Sequence, residues 1–174
     1  MVAPRKLSAA LAVITRYYLA ESYIGLRDLA FQTPPAELGL QPAPREVWGV
    51  LMEMGFEQGV STLLALADGA VSLYSSGGGG TIGLGAHDGP RRAAGEWLAA
   101  AQQYVWWTAP TSRIPLPLPG RVRFYCLTGS GIRTIEAGEE ELLEQSHPFS
   151  PFFFLGQALL TEIRLHLESP PAAG

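Results

Sequence analysis

Residues 47–74 carry the pattern that most constrains the fold, because apolar side chains alternate with small or polar ones around a strong hairpin turn. In residues 47–56, an extended backbone would place alternate side chains on opposite sides, with Gly49, Glu53 and Gly55 together on one of them. The side chains on the other side are apolar: Trp48, Val50, Met52, Met54 and Phe56. We expect a strand with one buried face, then strands over 60–67 and 70–74 joined by Asp68-Gly69.

The rest of the chain predicts a helix, a second hairpin and a terminal helix. Residues 75–85 are glycine-rich, and 81–84 continue the third strand around a bend. Asp88 is a candidate N-cap for a helix that ends before the proline-rich loop 108–120. Alternation then predicts strands at 121–128 and 132–137, joined by Gly129-Ser130-Gly131. A last helix is expected from Ser150 as N-cap and Pro151, and Gly156 in it would let another backbone approach closely.

An amphipathic helix is predicted near the N-terminus from a stripe of apolar residues at helical spacing: Leu7, Leu11, Ile14 and Tyr18. This helix either continues or restarts near Glu21 and Ser22, and Pro34-Pro35 ends it near Gln32. The spaced prolines of residues 33–45 predict a semi-extended connector, which would make the helix separable from the rest of the chain.

These elements predict an α+β protein with a five-stranded antiparallel sheet, in the order three strands, helix, two strands, helix, and an extra N-terminal helix. The expected division is an N-terminal helical segment (1–32), a proline-rich connector (33–45), an α+β core domain (46–168) and a tail (169–174).

Composition narrows the classes of partner and compartment. The chain has 12 Lys and Arg against 16 Asp and Glu, a net charge of −4, so nucleic acid is not an expected partner. The single cysteine, Cys126, cannot form an intramolecular disulfide, which favours a reducing compartment, the cytoplasm. The N-terminus resembles the start of a secretory signal, but Thr15 and Arg16 interrupt its apolar run. No run approaches the about 18 apolar residues of a membrane span, so no membrane partner is expected.

The glycine-rich loop is a candidate site for an anionic small molecule. Gly77, Gly78, Gly79 and Gly80 offer backbone N–H groups, and Arg91 and Arg92 lie in the first turn of the helix after the loop. Arginines there oppose the helix dipole, and a bound anion would relieve this. The spacing matches neither a phosphate loop nor a dinucleotide fingerprint, and the alternative is a bent connection with solvated arginines.

The usual catalytic and metal-binding patterns do not occur in the sequence. His87, His147 and His166 lack the spacing that would bring two ligands to one metal, and we expect neither a metal nor a cofactor. Ser130 lies between adjacent glycines, which indicates a turn and not a nucleophile elbow. Cys126 alternates with Val122 and Phe124, which predicts a buried, inert thiol.

Large aromatic side chains predict an interface. Trp106 and Trp107 are adjacent and cannot both point into one core, and Phe153 and Phe154 form a similar pair in the last helix. These four residues are the candidate interface, and the alternative is that the N-terminal helix covers them within the same chain.

Three segments resemble a group of small bacterial proteins that has no assigned activity: Val122-Arg123-Phe124-Tyr125-Cys126-Leu127-Thr128, Arg133-Thr134-Ile135-Glu136-Ala137 and His147-Pro148-Phe149-Ser150-Pro151-Phe152. The resemblance covers mainly the C-terminal third and implies no activity, substrate or catalytic residue. The order of elements is similar to that of profilin, roadblock and longin adaptor modules, and this similarity concerns the fold alone.

The leading hypothesis is a non-catalytic interaction or scaffold module that forms homo-oligomers, chiefly dimers, or binds another protein through a sheet edge or a helix face. One alternative is a small-molecule-binding domain or enzyme that uses the glycine loop. Another is an immunity or antitoxin protein whose acidic residues Glu139, Glu140, Glu141 and Glu144 cover a basic partner.

Overall fold

The structure is a computed structural model that describes residues 16–169. Most of the predicted helix at Leu7–Tyr18, and residues 170–174 of the tail, lie outside the described residues. The first helix, α1, spans Glu21–Gln32, so the helix begins at the restart point and ends before Pro34-Pro35, as predicted. The connector is not wholly extended, because Pro35–Leu38 forms a 3-10 turn.

The three strands predicted from the alternating segment are present as an antiparallel meander. They are β1 (Val47–Phe56), β2 (Gly59–Leu66) and β3 (Val71–Ser75). Gly69 has a φ of 95° in the turn between β2 and β3, a conformation that favours glycine. The chain does not continue β3 after the glycines. It turns back as a two-residue strand, β4 (Gly80–Thr81), beside β3.

The second half supplies two further long strands and the remaining helices. In chain order these are α2 (Asp88–Tyr104), β5 (Ala109–Pro110), β6 (Arg121–Thr128), β7 (Gly131–Gly138), α3 (Glu139–Leu143) and α4 (Ser150–Glu168). The sheet order is β4-β3-β2-β1-β6-β7-β5. The sheet is antiparallel, as expected, but it has seven strands and not five. The two unpredicted strands, β4 and β5, are too short to show a periodic pattern.

Both predicted N-caps lie one residue inside their helices. Asp88 is the first residue of α2 and Ser150 the first of α4, and they follow His87 and Phe149. The Asp88 carboxylate accepts a hydrogen bond from Arg91 in the first helical turn and makes no capping bond. In α4 the first turn is closed by Phe149, whose carbonyl accepts from Phe153 N at 2.9 Å.

Helices α2 and α4 pack on one face of the sheet and enclose the larger core. Its largest members come from both layers: Met52, Trp97, Phe124, Phe149, Phe152 and Phe153. Gly156 of α4 allows a close approach, as expected, but by side chains and not by backbone. A Cβ there would lie 2.9 Å from Met52 Cε and 3.4 Å from Trp97 Cζ2.

The opposite face of the sheet is also buried, so the prediction of one buried face for β1 was wrong. Nine of the ten residues of β1 are buried, and only Phe56 is exposed. The pairing with β6 shifts between Val47 and Gly49, and Trp48 consequently lies on the face opposite Val50 and Met52. Alternation along the sequence cannot show such a shift, because the extra residue changes the side of every residue before it.

Helix α1 and the proline-rich loop cover this second face. Tyr23 and Ala30 of α1 pack against Trp48, Leu51 and Tyr125 of the sheet. The hydroxyl of Tyr125 donates to Pro115 O at 2.7 Å, which fastens the loop. The described contacts therefore place α1 on the sheet, and the division of the chain into segment, connector and core domain stays a prediction.

A buried ion pair joins α1 to the centre of the sheet. Arg27 Nε donates to Glu53 Oε1 at 2.7 Å, and Arg27 Nη2 donates to Glu53 Oε2 at 3.0 Å and to Ile114 O at 2.7 Å. The Glu53 side chain is fully buried, contrary to its predicted place on an unburied face. Burial alone would lower the pKa of Arg27, but the charge and hydrogen bonds of Glu53 raise it above its ordinary value.

We predict that Arg27→Met lowers the free energy of unfolding by about 3–5 kcal/mol, because it leaves the Glu53 carboxylate buried without a partner. The double variant Arg27→Met with Glu53→Met should lose less, since no buried charge remains. Urea denaturation at pH 7 measures both.

Arg164→Met is the matched control, because Arg164 Nη1 lies 3.6 Å from Glu168 Oε2 and both side chains are 62% exposed. Its loss should stay below about 1 kcal/mol. A single Arg27→Met variant no less stable than the double variant would contradict the assigned role of this pair.

Candidate functional site

Of the four glycines of the candidate anion loop, Gly77, Gly78 and Gly79 join β3 to β4, and Gly80 is the first residue of β4. Gly78 has a φ of 99° there, which suits glycine in a tight turn. The loop lies beside the start of α1: Ala20 N donates to Ser76 O at 2.8 Å, and a Cβ on Gly78 would lie 3.0 Å from Ala20 Cβ. The helix terminus next to the glycines is therefore that of α1 and not that of α2.

Arg91 and Arg92 lie near the other end of β3. The chain entering α2 passes the turn before β3, where a Cβ on Gly85 would overlap the carbonyl oxygen of Gly69. The structure thus does not bring Gly77, Gly78, Gly79 and Gly80 together with the two arginines. Arg91 pairs with Asp88, and Arg92 Nη2 lies 3.5 Å from Glu162 Oε1, so carboxylates already balance both charges.

Two histidines flank the start of α2. The rings of His87 and His166 stack with centroids 3.6 Å apart, in an open cleft of about 440 Å³ that Asp88 and Glu162 also line. Within residues 16–169, no group of three or more His, Cys, Asp or Glu residues is arranged to hold a metal ion.

A second cluster of polar groups lies beneath α1 and is closed to solvent. Thr62 Oγ1 lies 3.3 Å from Glu53 Oε1, and the hydroxyl of Tyr23 lies 2.9 Å from Thr62 Oγ1. The Tyr74 hydroxyl is buried in the same cluster without a hydrogen-bond partner. Burial, and then the charge of Glu53, raise the pKa values of Tyr23 and Tyr74 above their ordinary value. The two tyrosines therefore stay neutral, and the bond between Tyr23 and Thr62 ties α1 to the sheet.

Trp106 and Trp107 are two adjacent aromatic residues on the described surface. They are 63% and 67% exposed, and we call them the tryptophan surface. They lie in the 3-10 turn Val105–Trp107, which core residues hold in place: Val105 is buried, and buried Thr108 donates from Oγ1 to Val105 O at 2.5 Å. The two indoles are thus presented on a fixed turn.

The two phenylalanines of the candidate interface have different environments. Phe153 is 1% exposed and belongs to the core beneath α2 and α4, so it is not on the surface of the single subunit. Phe154 is 39% exposed and contacts Phe153 edge-on, with centroids 5.5 Å apart. Of the four predicted residues, the structure brings Trp106 and Trp107 together at the surface.

An arginine-lined cleft adjoins the tryptophan surface, and sequence analysis did not find it. The guanidinium carbon of Arg45 lies 4.4 Å from the centroid of the Trp106 ring. A cleft of about 350 Å³, here called the arginine cleft, is lined by Arg45, Val105, Trp106, Ser130 and Arg133. Only β7 and the end of the connector bring its two arginines together, and no sequence pattern links them.

Both arginines of the cleft lack a carboxylate partner among residues 16–169. Arg133 Nε donates to Thr108 Oγ1 at 3.0 Å, and its Nη2 donates to Thr108 O. These bonds fix the direction of the guanidinium but leave its charge unbalanced. The cleft is therefore a locally cationic surface on a chain whose net charge is −4.

The acidic residues predicted at 139–144 form α3 and the turn after it. Glu141 Oε2 accepts from Gly138 N at 3.0 Å, so Glu141 serves the helix start. Glu140 and Glu144 are exposed one helical turn apart, with Leu143, 53% exposed, beside them. Within the described chain neither of these two glutamates is part of an ion pair.

Comparison of the chain with known protein families, curated proteins and solved structures finds no match. Among residues 16–169, no helix combines the length and apolar character that crossing a bilayer requires.

Cys126 lies in β6, fully buried in the core, as the alternation predicted. Burial raises the pKa of its thiol to about 12, although the nearby charge of Arg133 acts to lower it. At pH 8 the folded protein therefore holds a neutral thiol, and the thiolate is the reactive form.

We predict that native Cys126 reacts with a disulfide reagent such as DTNB at least about 100-fold more slowly than free cysteine at pH 8. Unfolding in guanidinium should restore the full rate, and absorbance at 412 nm follows the reaction. Fast, stoichiometric reaction of the native protein would show that the thiol is accessible.

Proposed function

We propose that the protein is a non-catalytic protein-interaction module that associates with a second copy of itself through the tryptophan surface. The observation that carries this proposal is the exposure of Trp106 and Trp107, at 63% and 67%, on a turn held by buried residues. Two indoles exposed to this degree leave on the order of 200–300 Å² of apolar area in water. Exposed apolar area that is concentrated on two adjacent aromatic side chains supports a binding surface here.

The exposure of these rings is not a consequence of a poorly filled interior. The two other tryptophans, Trp48 and Trp97, are 6% and 0% exposed, and each belongs to a different core. Helix α1 does not cover the tryptophan surface, because it lies on the other face of the sheet with Tyr23 and Ala30 buried there. Among residues 16–169 nothing else covers the two indoles, and association with another molecule would remove them from water.

The sheet edges favour contact through side chains over addition of a strand. The outermost strands, β4 and β5, have two residues each and cover part of β3 and part of β7, and β5 contains Pro110. Short edge strands and proline are features that limit pairing between sheets. We therefore assign the contact to the tryptophan surface and its surroundings and not to a continuous intermolecular sheet.

Binding of an anionic small molecule by the glycine loop stays a prediction. The separation of the glycines from Arg91 and Arg92, and the carboxylate partners of both arginines, give it less support than the interaction module has.

We predict that the wild-type protein changes from dimer to monomer on dilution, and that Trp106→Ser with Trp107→Ser stays monomeric because the apolar contact is lost. Size-exclusion chromatography with light scattering over a dilution series measures the mass. The control is Leu29→Ser, because Leu29 is 63% exposed, as Trp106 is, but lies on α1.

The control should dimerise like the wild type. A wild-type protein that is monomeric at every concentration, or a double tryptophan variant that dimerises normally, would refute the proposed function.

A further inference from the structure

We propose that the arginine cleft of one subunit binds the acidic helix α3 of a second copy, through Glu140 and Glu144. This inference rests on the proposed self-association. It adds that, in the dimer, α3 of one copy faces the tryptophan surface of the other. The occupant is chosen by charge: the cleft is cationic, and the exposed face of α3 is acidic.

The cleft has the chemistry of a carboxylate site. Arg45 and Arg133 line the cleft together with the exposed ring of Trp106, and neither guanidinium has a carboxylate partner among the residues described. Thr108 fixes the direction of Arg133. A guanidinium presents parallel N–H donors that match two carboxylate oxygens, and an indole accommodates an apolar side chain beside them.

Helix α3 offers groups that are complementary to those of the cleft. Glu140 and Glu144 lie one helical turn apart, with Leu143, 53% exposed, beside them, and both glutamates are exposed without an ion pair within residues 16–169. Helix α3 thus offers two carboxylates and an apolar side chain to a cleft that offers two guanidinium groups and an indole. Glu141 takes no part, since its carboxylate caps the start of α3.

The positions of the two surfaces in the fold allow a closed dimer. Arg133 lies near the start of β7, and α3 begins directly after the end of β7. A strand of this length, eight residues, spans about 25 Å. A two-fold axis beside the middle of β7 aligns the two copies in opposite directions, so each cleft meets the α3 of the other copy. Both contacts then form at once and no cleft is left for a third copy.

Charge reversal tests the inference in two variants. Arg45→Glu reverses the exposed arginine of the cleft and leaves Arg133 on Thr108, whereas Glu140→Arg with Glu144→Arg reverses α3. Each variant alone should weaken dimerisation at least about tenfold, because like charges then face each other in both contacts. A mixture of the two variants should dimerise more strongly than either alone, since it restores one wild-type contact and an Arg–Glu pair in the other. Sedimentation velocity measures the dissociation constants.

The matched control is Glu37→Arg with Glu96→Arg, which makes the same charge change at two exposed glutamates that have no ion pair among the residues described. It should leave dimerisation unchanged, and circular dichroism checks that every variant is folded.

The outcomes separate this inference from the proposed function. A wild-type dimer that the tryptophan variant abolishes but neither charge reversal weakens would overturn the inference alone. Weakening without recovery in the mixture would also overturn it, because the two surfaces would then not face each other. A wild-type monomer overturns both, even if it binds a glutamate-rich peptide, which would assign the cleft to another protein.

Discussion

The salt bridge between Arg27 and Glu53 is the interaction on which the arrangement of the molecule depends. Glu53 lies at the middle of β1, fully buried, and a carboxylate in that place requires a bound cation. Arg27 supplies it only while α1 lies across the sheet. The pair therefore directs α1 to this face of the sheet. Together, α1 and the proline-rich loop cover this face and form a second core with it.

With both faces covered, most large rings find a place inside one subunit. Trp97 and Phe152 fill the core under α2 and α4, and Trp48 and Tyr125 fill the core under α1. The turn at Val105–Trp107 lies beyond the end of α2, where neither layer extends over Trp106 and Trp107. The same packing that encloses the other rings thus confines the exposed indoles to one place, next to two arginines whose charges remain unbalanced.

Sequence reasoning could predict those parts of the structure that depend on neighbouring residues. Alternating apolar residues, turn residues such as Asp68-Gly69, and the residues that start and stop helices predicted the five long strands and α1, α2 and α4, because each signal is local. The second buried face could not be predicted, since Glu53 looks solvated until α1 is placed over it. Adjacent tryptophans indicated the candidate surface directly. The sequence did not indicate that Arg45 and Arg133 share a cleft, because only the tertiary structure brings the connector next to β7. The glycine loop lies apart from Arg91 because the loop follows one end of β3 and Arg91 lies near the other end.

The central claim is that Trp106 and Trp107 are open in the single subunit and become covered when two copies associate. Acrylamide quenching of tryptophan fluorescence, measured on dilute and on concentrated protein, tests it most directly. At low concentration we expect two classes of tryptophan, with Trp106 and Trp107 quenched and Trp48 and Trp97 protected, in line with their exposures. The quenched fraction should fall as concentration rises. A quenched fraction that is the same at every concentration would contradict the claim.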